Sequence, residues 1–225
     1  MFRRLIVSLA ALSAVSVQAA EKPPVVVELY QSQGCSSCPP ADLNVNAIAD
    51  RPDVLALSFA VTYWDQLGWK DTFASPAYTQ RQWDYAHAFK RGEVATPQVV
   101  VNGRSDLVGN NRAQLDAAIA KAAPLPGPIL SLAANKLQIG AGATTNADVW
   151  LVRYDPRTHQ VPIARGENAG KTLPHRNIVR ELTRLGAWTG KPATFTVPDW
   201  KDSPLKTAVL VQVHGGGPIL GAARI

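Results

Sequence analysis

Gly34-Cys35-Ser36-Ser37-Cys38-Pro39-Pro40 holds both cysteines of a 225-residue chain, three positions apart. Before it runs Val25-Val26-Val27-Glu28-Leu29-Tyr30, an apolar stretch that predicts a buried strand. After it, residues 41–49 carry helical spacing, with Leu43, Ala47 and Ile48 near one face. A thiol at a strand-to-helix junction meets unpaired backbone N–H groups and the positive end of the helix dipole, and both stabilise a thiolate. Gly34 permits a tight turn and is expected to leave the first sulfur open to a partner disulfide. Cys35 is then the attacking residue, and Cys38 resolves the mixed disulfide. Pro39 disfavours helical backbone at Cys38, so a helix starting at Pro39 would weaken the dipole's hold on Cys35.

A purely structural bridge is the competing reading, and magnitudes weigh against it. Closing so short a loop removes about 2 kcal/mol of unfolded-state entropy, against about 4 kcal/mol for a loop of roughly 60 residues. A short, exposed bridge is instead easily broken and remade. A second alternative makes Cys35 and Cys38 thiolate ligands of a soft ion such as Cu(I). Copper sites usually add Met or His, and the chain's one Met is Met1. No resident cofactor is expected. A third alternative is a non-catalytic binding module with an idle dithiol.

The amino terminus sets the compartment. Phe2-Arg3-Arg4 is a cationic start, residues 5–15 are apolar apart from serines, and Val17-Gln18-Ala19 offers small residues for cleavage. Residues 1–20 therefore read as a secretory signal peptide, too short for an anchor, with no membrane span in the mature protein. Periplasmic or secreted localisation follows, and with it an oxidising environment in which paired cysteines persist. The formal charge of +6 falls to +4 once Arg3 and Arg4 are removed (21 basic against 17 acidic residues), and the basic residues are scattered. No nucleic-acid partner is expected. A hydrophobic content of 46% indicates a globular chain.

Outward from the cysteines, strand and helix patterns alternate up to residue 123. Residues 54–61 and 98–101 predict strands, 76–90 and 112–122 predict helices, and Asn102-Gly103 predicts a tight hairpin into 107–108. Ala123-Pro124-Leu125-Pro126-Gly127-Pro128 then breaks the pattern and marks a domain boundary. Beyond it, residues 129–132, 137–139, 149–154, 195–197 and 208–213 predict short strands, and only 178–185 looks helical. The expected fold is α/β: a domain over 21–123 with a mixed central sheet and flanking helices, followed by a smaller β-rich domain over 124–225.

Val94-Ala95-Thr96-Pro97-Gln98-Val99-Val100-Val101-Asn102-Gly103 resembles the segment in which the thioredoxin superfamily places a cis-proline facing its disulfide. The resemblance implies a thioredoxin-like first domain, with Pro97 as the cis residue and Thr96 offering its backbone to a substrate chain. Three further stretches are similar to a secreted bacterial family known as domain of unknown function 1223. They are Glu28-Leu29-Tyr30-Gln31-Ser32-Gln33 with the cysteine run, Tyr63-Trp64-Asp65-Gln66-Leu67-Gly68-Trp69-Lys70-Asp71, and Arg165-Gly166-Glu167-Asn168-Ala169-Gly170 with His175-Arg176-Asn177. The likeness extends to Gly215-Gly216-Gly217-Pro218-Ile219-Leu220-Gly221 and implies an exported thioredoxin-like protein of open activity. The chain departs from standard thioredoxins in lacking a Trp before the dithiol and Gly-Pro within it. About 60 residues separate Cys35 from Pro97, more than a minimal fold of this kind needs.

Site expectations follow. Cys35 and Cys38 are the catalytic pair, Thr96 and Pro97 bind substrate, and the partners are thiols or disulfides of envelope proteins together with a redox partner protein. Tyr63, Trp64 and Trp69 read as core in preference to a substrate groove. Asp65 reads as a helix cap in preference to a proton relay to Cys38. His87 and His175 have no metal-ligand spacing and read as structural or surface residues. The sequence assigns no role to Glu167, Asn168 or Asn177. The Ser36-Ser37 pair carries no charge, so oxidase, reductase and isomerase directions stay open.

Overall fold

The computed structural model describes residues 22–133, 135–198 and 203–225; the expected leader at 1–20 lies outside them. The chain forms β1 (Val25–Gln31), α1 (Pro39–Asn46), β2 (Val54–Ala60), α2 (Pro76–Ala88), β3 (Gln98–Val101), β4 (Ser105–Leu107) and α3 (Arg112–Lys121). It continues through β5 (Leu130–Ala133), β6 (Lys136–Ile139), β7 (Ala147–Asp155), β8 (His159–Pro162), β9 (Thr172–His175), β10 (Ile178–Trp188), β11 (Ala193–Thr196), β12 (Lys206–Val213) and β13 (Ile219–Arg224). Ser75 and Asn111 cap α2 and α3 by accepting from the amides of Ala77 and Gln114. Asn102 and Gly103 both take positive φ, 50° and 62°, the geometry of the tight hairpin their dipeptide predicts.

One mixed sheet of eight strands organises the molecule, in the order β13-β12-β7-β10-β2-β1-β3-β4. β1 pairs parallel with β2 and antiparallel with β3. Every residue of β2 is buried, as is every residue of β1 after Val25, because both faces of these strands are covered. On one face α1 and α3 close a cluster around Val27, Leu29, Val45, Ile48 and Leu115. On the other, α2 covers Tyr30, Phe59, Tyr85 and Val100. A separate sheet, β11-β6-β5, packs Leu137, Ile139 and Phe195 beside Val149, Val209 and Trp188. Strands from both sides of residues 122–128 join the large sheet, through the parallel pairing of β10 with β2 at Ile178 and Ser58.

Two local expectations are corrected. Residues 178–185 belong to strand β10, not to a helix. Its pairing with β7 shifts register between Val179 and Glu181 and again between Arg184 and Gly186. Each bulge adds an unpaired residue, which converts a two-residue alternation into the wider spacing of a helix. In α1, Leu43 faces outward at 56% exposure, while Ala41 and Val45, with Ile48 in the turn that follows, supply the buried side.

Glu28, central in β1, is fully buried, and Arg81 of α2 donates to it at 2.8 Å. The Tyr85 hydroxyl also donates to Glu28, and the guanidinium lies over the rings of Phe59, Tyr85 and Trp150. Burying both charges is costly, but removing one partner costs more, since the other is left uncompensated. Glu28→Gln is expected to lower stability by about 3–5 kcal/mol in urea unfolding, and the double change Glu28→Met with Arg81→Met to recover most of that loss.

Candidate functional site

Register brings the predicted residues together. Tyr30, near the end of β1, pairs with Gln98, the first residue of β3. The loop leaving β1 and the segment entering β3 therefore share one end of the sheet. Cys35 and Cys38 form a disulfide with their Cα atoms 5.5 Å apart. The Cys35 sulfur lies 3.7 Å from the Thr96 carbonyl and 3.3 Å from the Ser37 hydroxyl. Ser37 also donates to the Thr96 carbonyl at 3.3 Å. The Thr96–Pro97 peptide is cis.

Helix α1 starts at Pro39, with Cys38 at its N-cap, as the two prolines dictate. Cys38 sits at the positive end of the helix, and Cys35 stands one turn outside it: the Cys38 amide donates to the Cys35 carbonyl at 3.2 Å. The amides of Ala41 and Asp42 donate to the Cys38 carbonyl.

The expectation of an open first sulfur is corrected: Cys35 and Cys38 both have 0% exposure. Ser36 and Ser37 between them are exposed, so the bridge lies directly under the surface. Residues for which the sequence offered no role tie this loop down. Asn168 donates from its side-chain amide to the carbonyls of Gln33 (3.0 Å) and Cys35 (2.9 Å). Glu167 accepts from the Ser36 amide at 3.1 Å. Hydrogen bonding from Ser36 holds its carboxyl below the usual 4.5. The tryptophans finish the frame. Trp64 donates to the Thr96 hydroxyl at 2.8 Å and Trp69 to the Gln33 side chain at 2.9 Å. Both indoles are half-buried and edge the dithiol loop, and Trp64, with Tyr63, also packs against the core cluster of Tyr30 and Phe59. A Cβ on Gly34 would come within 3.3 Å of the Trp64 Cβ, so glycine lets these segments close together.

A second group of buried titratable residues lies behind the loop. Asp71 accepts from the amides of Gln33 (2.7 Å) and Phe73 (2.8 Å), and Asp65, which opens the short helical turn Asp65–Leu67 instead of capping a helix, accepts from the Asp71 amide at 3.1 Å. His175 is buried, 3.6 Å from the Asp42 carboxylate, and its ring meets Phe73 edge-on. That separation is a charge contact, too long for a hydrogen bond. Burial pulls His175 down, but Asp42 and Asp71 outweigh it, and the imidazole is raised above 6.5. Burial also raises Asp42 and Asp71 above 3.8. His175 thus serves the interior, and His87 is exposed beside Trp83.

Beside Pro97 a groove of 280 Å³ opens among Glu93, Val94, Ala95, Leu107 and Val108. A larger one of 660 Å³, between β4 and α3, contains none of the residues around the sulfurs. Among the described residues no group of three or more His, Cys, Asp or Glu could hold a metal ion, and no helix is long and apolar enough to cross a membrane.

The sequence profile described as protein of unknown function (DUF1223) matches residues 26–213. The crystal structure of protein AGR_C_4864 from Agrobacterium tumefaciens is similar at a TM-score of 0.74 and 34% identity, covering 92% of this chain and 96% of that one. HBP35 of Porphyromonas gingivalis resembles it in fold alone, at a TM-score of 0.58 and 13% identity, over 91% of this chain and 75% of that one. No curated protein matches the sequence at a significant level.

A pH dependence follows from the raised residues. Asp42, Asp71 and His175 each hold a proton more tightly folded than unfolded. Where the folded state binds more protons, stability falls as pH rises, and for His175 that window opens near its unfolded value of about 6.5 and closes above its raised one. The melting temperature should drop by a few degrees between about pH 6 and 8.5. His175→Gln should flatten that slope, as thermal unfolding across the range would reveal.

Proposed function

This chain belongs to the DUF1223 family, and we propose that it is a thiol–disulfide oxidoreductase built on a thioredoxin-like fold. The observation that carries the reading is the disulfide at the start of α1 with its Cys35 sulfur 3.7 Å from the Thr96 carbonyl. The Cys35 sulfur thus reaches the segment on which a substrate chain would lie. The order β1-α1-β2-α2-β3-β4-α3 supports the thioredoxin-like part, with β1 and β2 parallel and β3 and β4 antiparallel.

In the reduced protein the Cys35 thiolate attacks a sulfur of a substrate disulfide, and the substrate's other sulfur leaves with the electron pair. Cys38 then attacks Cys35, releases the second substrate thiol and reforms the bridge. Two electrons pass from the protein to the substrate, and the reverse sequence oxidises a substrate dithiol. Cys38, at the helix N-cap, is the sulfur that leaves when a substrate thiolate attacks Cys35. Thr96 and Pro97 position the substrate backbone, and the groove beside Pro97, lined by Val94 and Leu107 together with Arg91, Glu93 and Asp106, takes a neighbouring side chain. The substrates are cysteines of envelope proteins, reached after export directed by residues 1–20.

Cys38→Ser removes the resolving thiol. Expressed with its leader, it should accumulate mixed disulfides with envelope proteins through Cys35, visible as reductant-sensitive bands on non-reducing gels, whereas the variant lacking both cysteines captures none. Capture equal in the two variants, or stoichiometric Cu(I) binding by a wild type that forms no mixed disulfide, would contradict the proposal.

A further inference from the structure

The β8–β9 hairpin pairs with no strand of the large sheet. Its connecting turn, residues 163–171, holds its own shape. The Ile163 amide donates to the Lys171 carbonyl at 2.9 Å, the Gly170 amide to the Ile163 carbonyl at 2.8 Å, and the Ala169 amide to the Gly166 carbonyl at 3.1 Å. Gly166 and Gly170 both take φ of 79°, which glycine alone adopts without strain. Within this turn Asn168 has 0% exposure, while residues 164–167 and 169–171 are exposed. Ile163 anchors the base of the turn at 2% exposure, and of the turn residues beyond it only Asn168 is buried, tying the carbonyls of Gln33 and Cys35. Lys171 donates to its oxygen at 2.9 Å, which fixes the amide with its N–H groups toward the loop. The hairpin's other ties to α1 are polar: Asn46 donates to the Pro174 carbonyl at 2.9 Å, and His175 faces Asp42.

We infer that the tip of the β8–β9 hairpin, residues 164–171, is a lid over the Cys35–Cys38 bridge, with Asn168 as its fastening and Glu167 as the residue that links closure to redox state. The inference rests on the oxidoreductase reading and says how that site is controlled. A closed lid leaves neither sulfur exposed, so exchange with a bulky partner requires the turn to lift. The tip's ties to the dithiol loop are hydrogen bonds between side chains and backbone, at Asn168 and Glu167, which water replaces readily. The strands below it stay anchored, with Ile163, Leu173 and His175 buried and His159 and His175 meeting the Phe73 ring.

Glu167 supplies the linkage. Its carboxylate occupies the Ser36 N–H, the amide that follows Cys35 in the chain. A neutral disulfide makes no claim on that donor. A thiolate does, and it also repels the carboxylate. Closure therefore favours the bonded form, reduction favours lifting, and by reciprocity the charge on Glu167 lowers the reduction potential.

The test follows reduction of the purified oxidised protein by dithiothreitol, quenched in acid at intervals, with free thiols counted by alkylation and mass. A reagent thiolate attacks Cys35, Cys38 leaves with the electron pair and takes a proton, and the reagent's second thiol closes its own ring and frees Cys35. Asn168→Ala should be reduced at least tenfold faster than the wild type. Glu167→Gln keeps an acceptor for Ser36 but removes the charge. Its equilibrium against glutathione should move at least tenfold toward the dithiol, about 30 mV for a two-electron couple. Equal rates for a folded Asn168→Ala and a readily reduced wild type would overturn the lid while leaving the oxidoreductase reading intact. If Asn168→Ala fails to fold, an unmoved potential in Glu167→Gln overturns the redox linkage. A bridge inert to dithiothreitol in every folded variant would remove the oxidoreductase reading and the lid together.

Discussion

Two hydrogen bonds from the side-chain amide of Asn168, to the carbonyls of Gln33 and Cys35, join the β-rich second half of the chain to the loop that carries both sulfurs. Their geometry asks much of the surroundings. The turn bearing Asn168 needs glycines on both sides, Lys171 must hold its oxygen, and the dithiol loop must present two carbonyls in the same direction. The loop in turn is braced by Asp71 at the Gln33 amide and by Trp69 at the Gln33 side chain. Each brace satisfies a backbone or side-chain group that would otherwise be buried without a partner.

The sheet explains why these parts meet. β1 delivers the cysteine loop, and β3, antiparallel to it, delivers Thr96 and Pro97 to the same end. β10 enters alongside β2 at Ile178, so the hairpin before it lies over α1. A single sheet thus carries elements from both halves of the chain to one site. Opposing clusters on its two faces, and the buried Glu28–Arg81 pair within one of them, hold the strands in register. Arg81 reaches Glu28 from α2, across the aromatic cluster of Phe59 and Tyr85, so that helix cannot rotate without stranding a charge.

Much of the first half was legible in the residues. The apolar runs at 25–30, 54–61 and 98–101 lie within a few residues of the observed strands, because strands covered on both faces read as continuous apolar segments. The Asn102-Gly103 turn is local chemistry and is written locally. The meeting of Cys35 with Thr96 was read from the resemblance, since no local signal spans 61 residues. Strand β10 was misread because two bulges disguise its period. The cover over the sulfurs was invisible for a different reason. Asn168 is a polar residue between glycines, the composition of any surface turn, and only the fold brings it to carbonyls more than 130 positions away. Trp64 and Trp69 likewise look like core in a sequence, and it is their indole N–H groups, aimed at Thr96 and Gln33, that mark them as part of the site.

A bridge that shuttles electrons and a bridge that merely clips a loop differ in one quantity, the free energy of the thiol pair relative to the disulfide. The reduction potential of the Cys35–Cys38 couple, measured against defined glutathione buffers on the folded protein, reads that quantity directly. A catalytic dithiol predicts a value in the range spanned by known exchange proteins, roughly −270 to −120 mV. A value well below about −300 mV would class the bridge with structural disulfides and contradict the account.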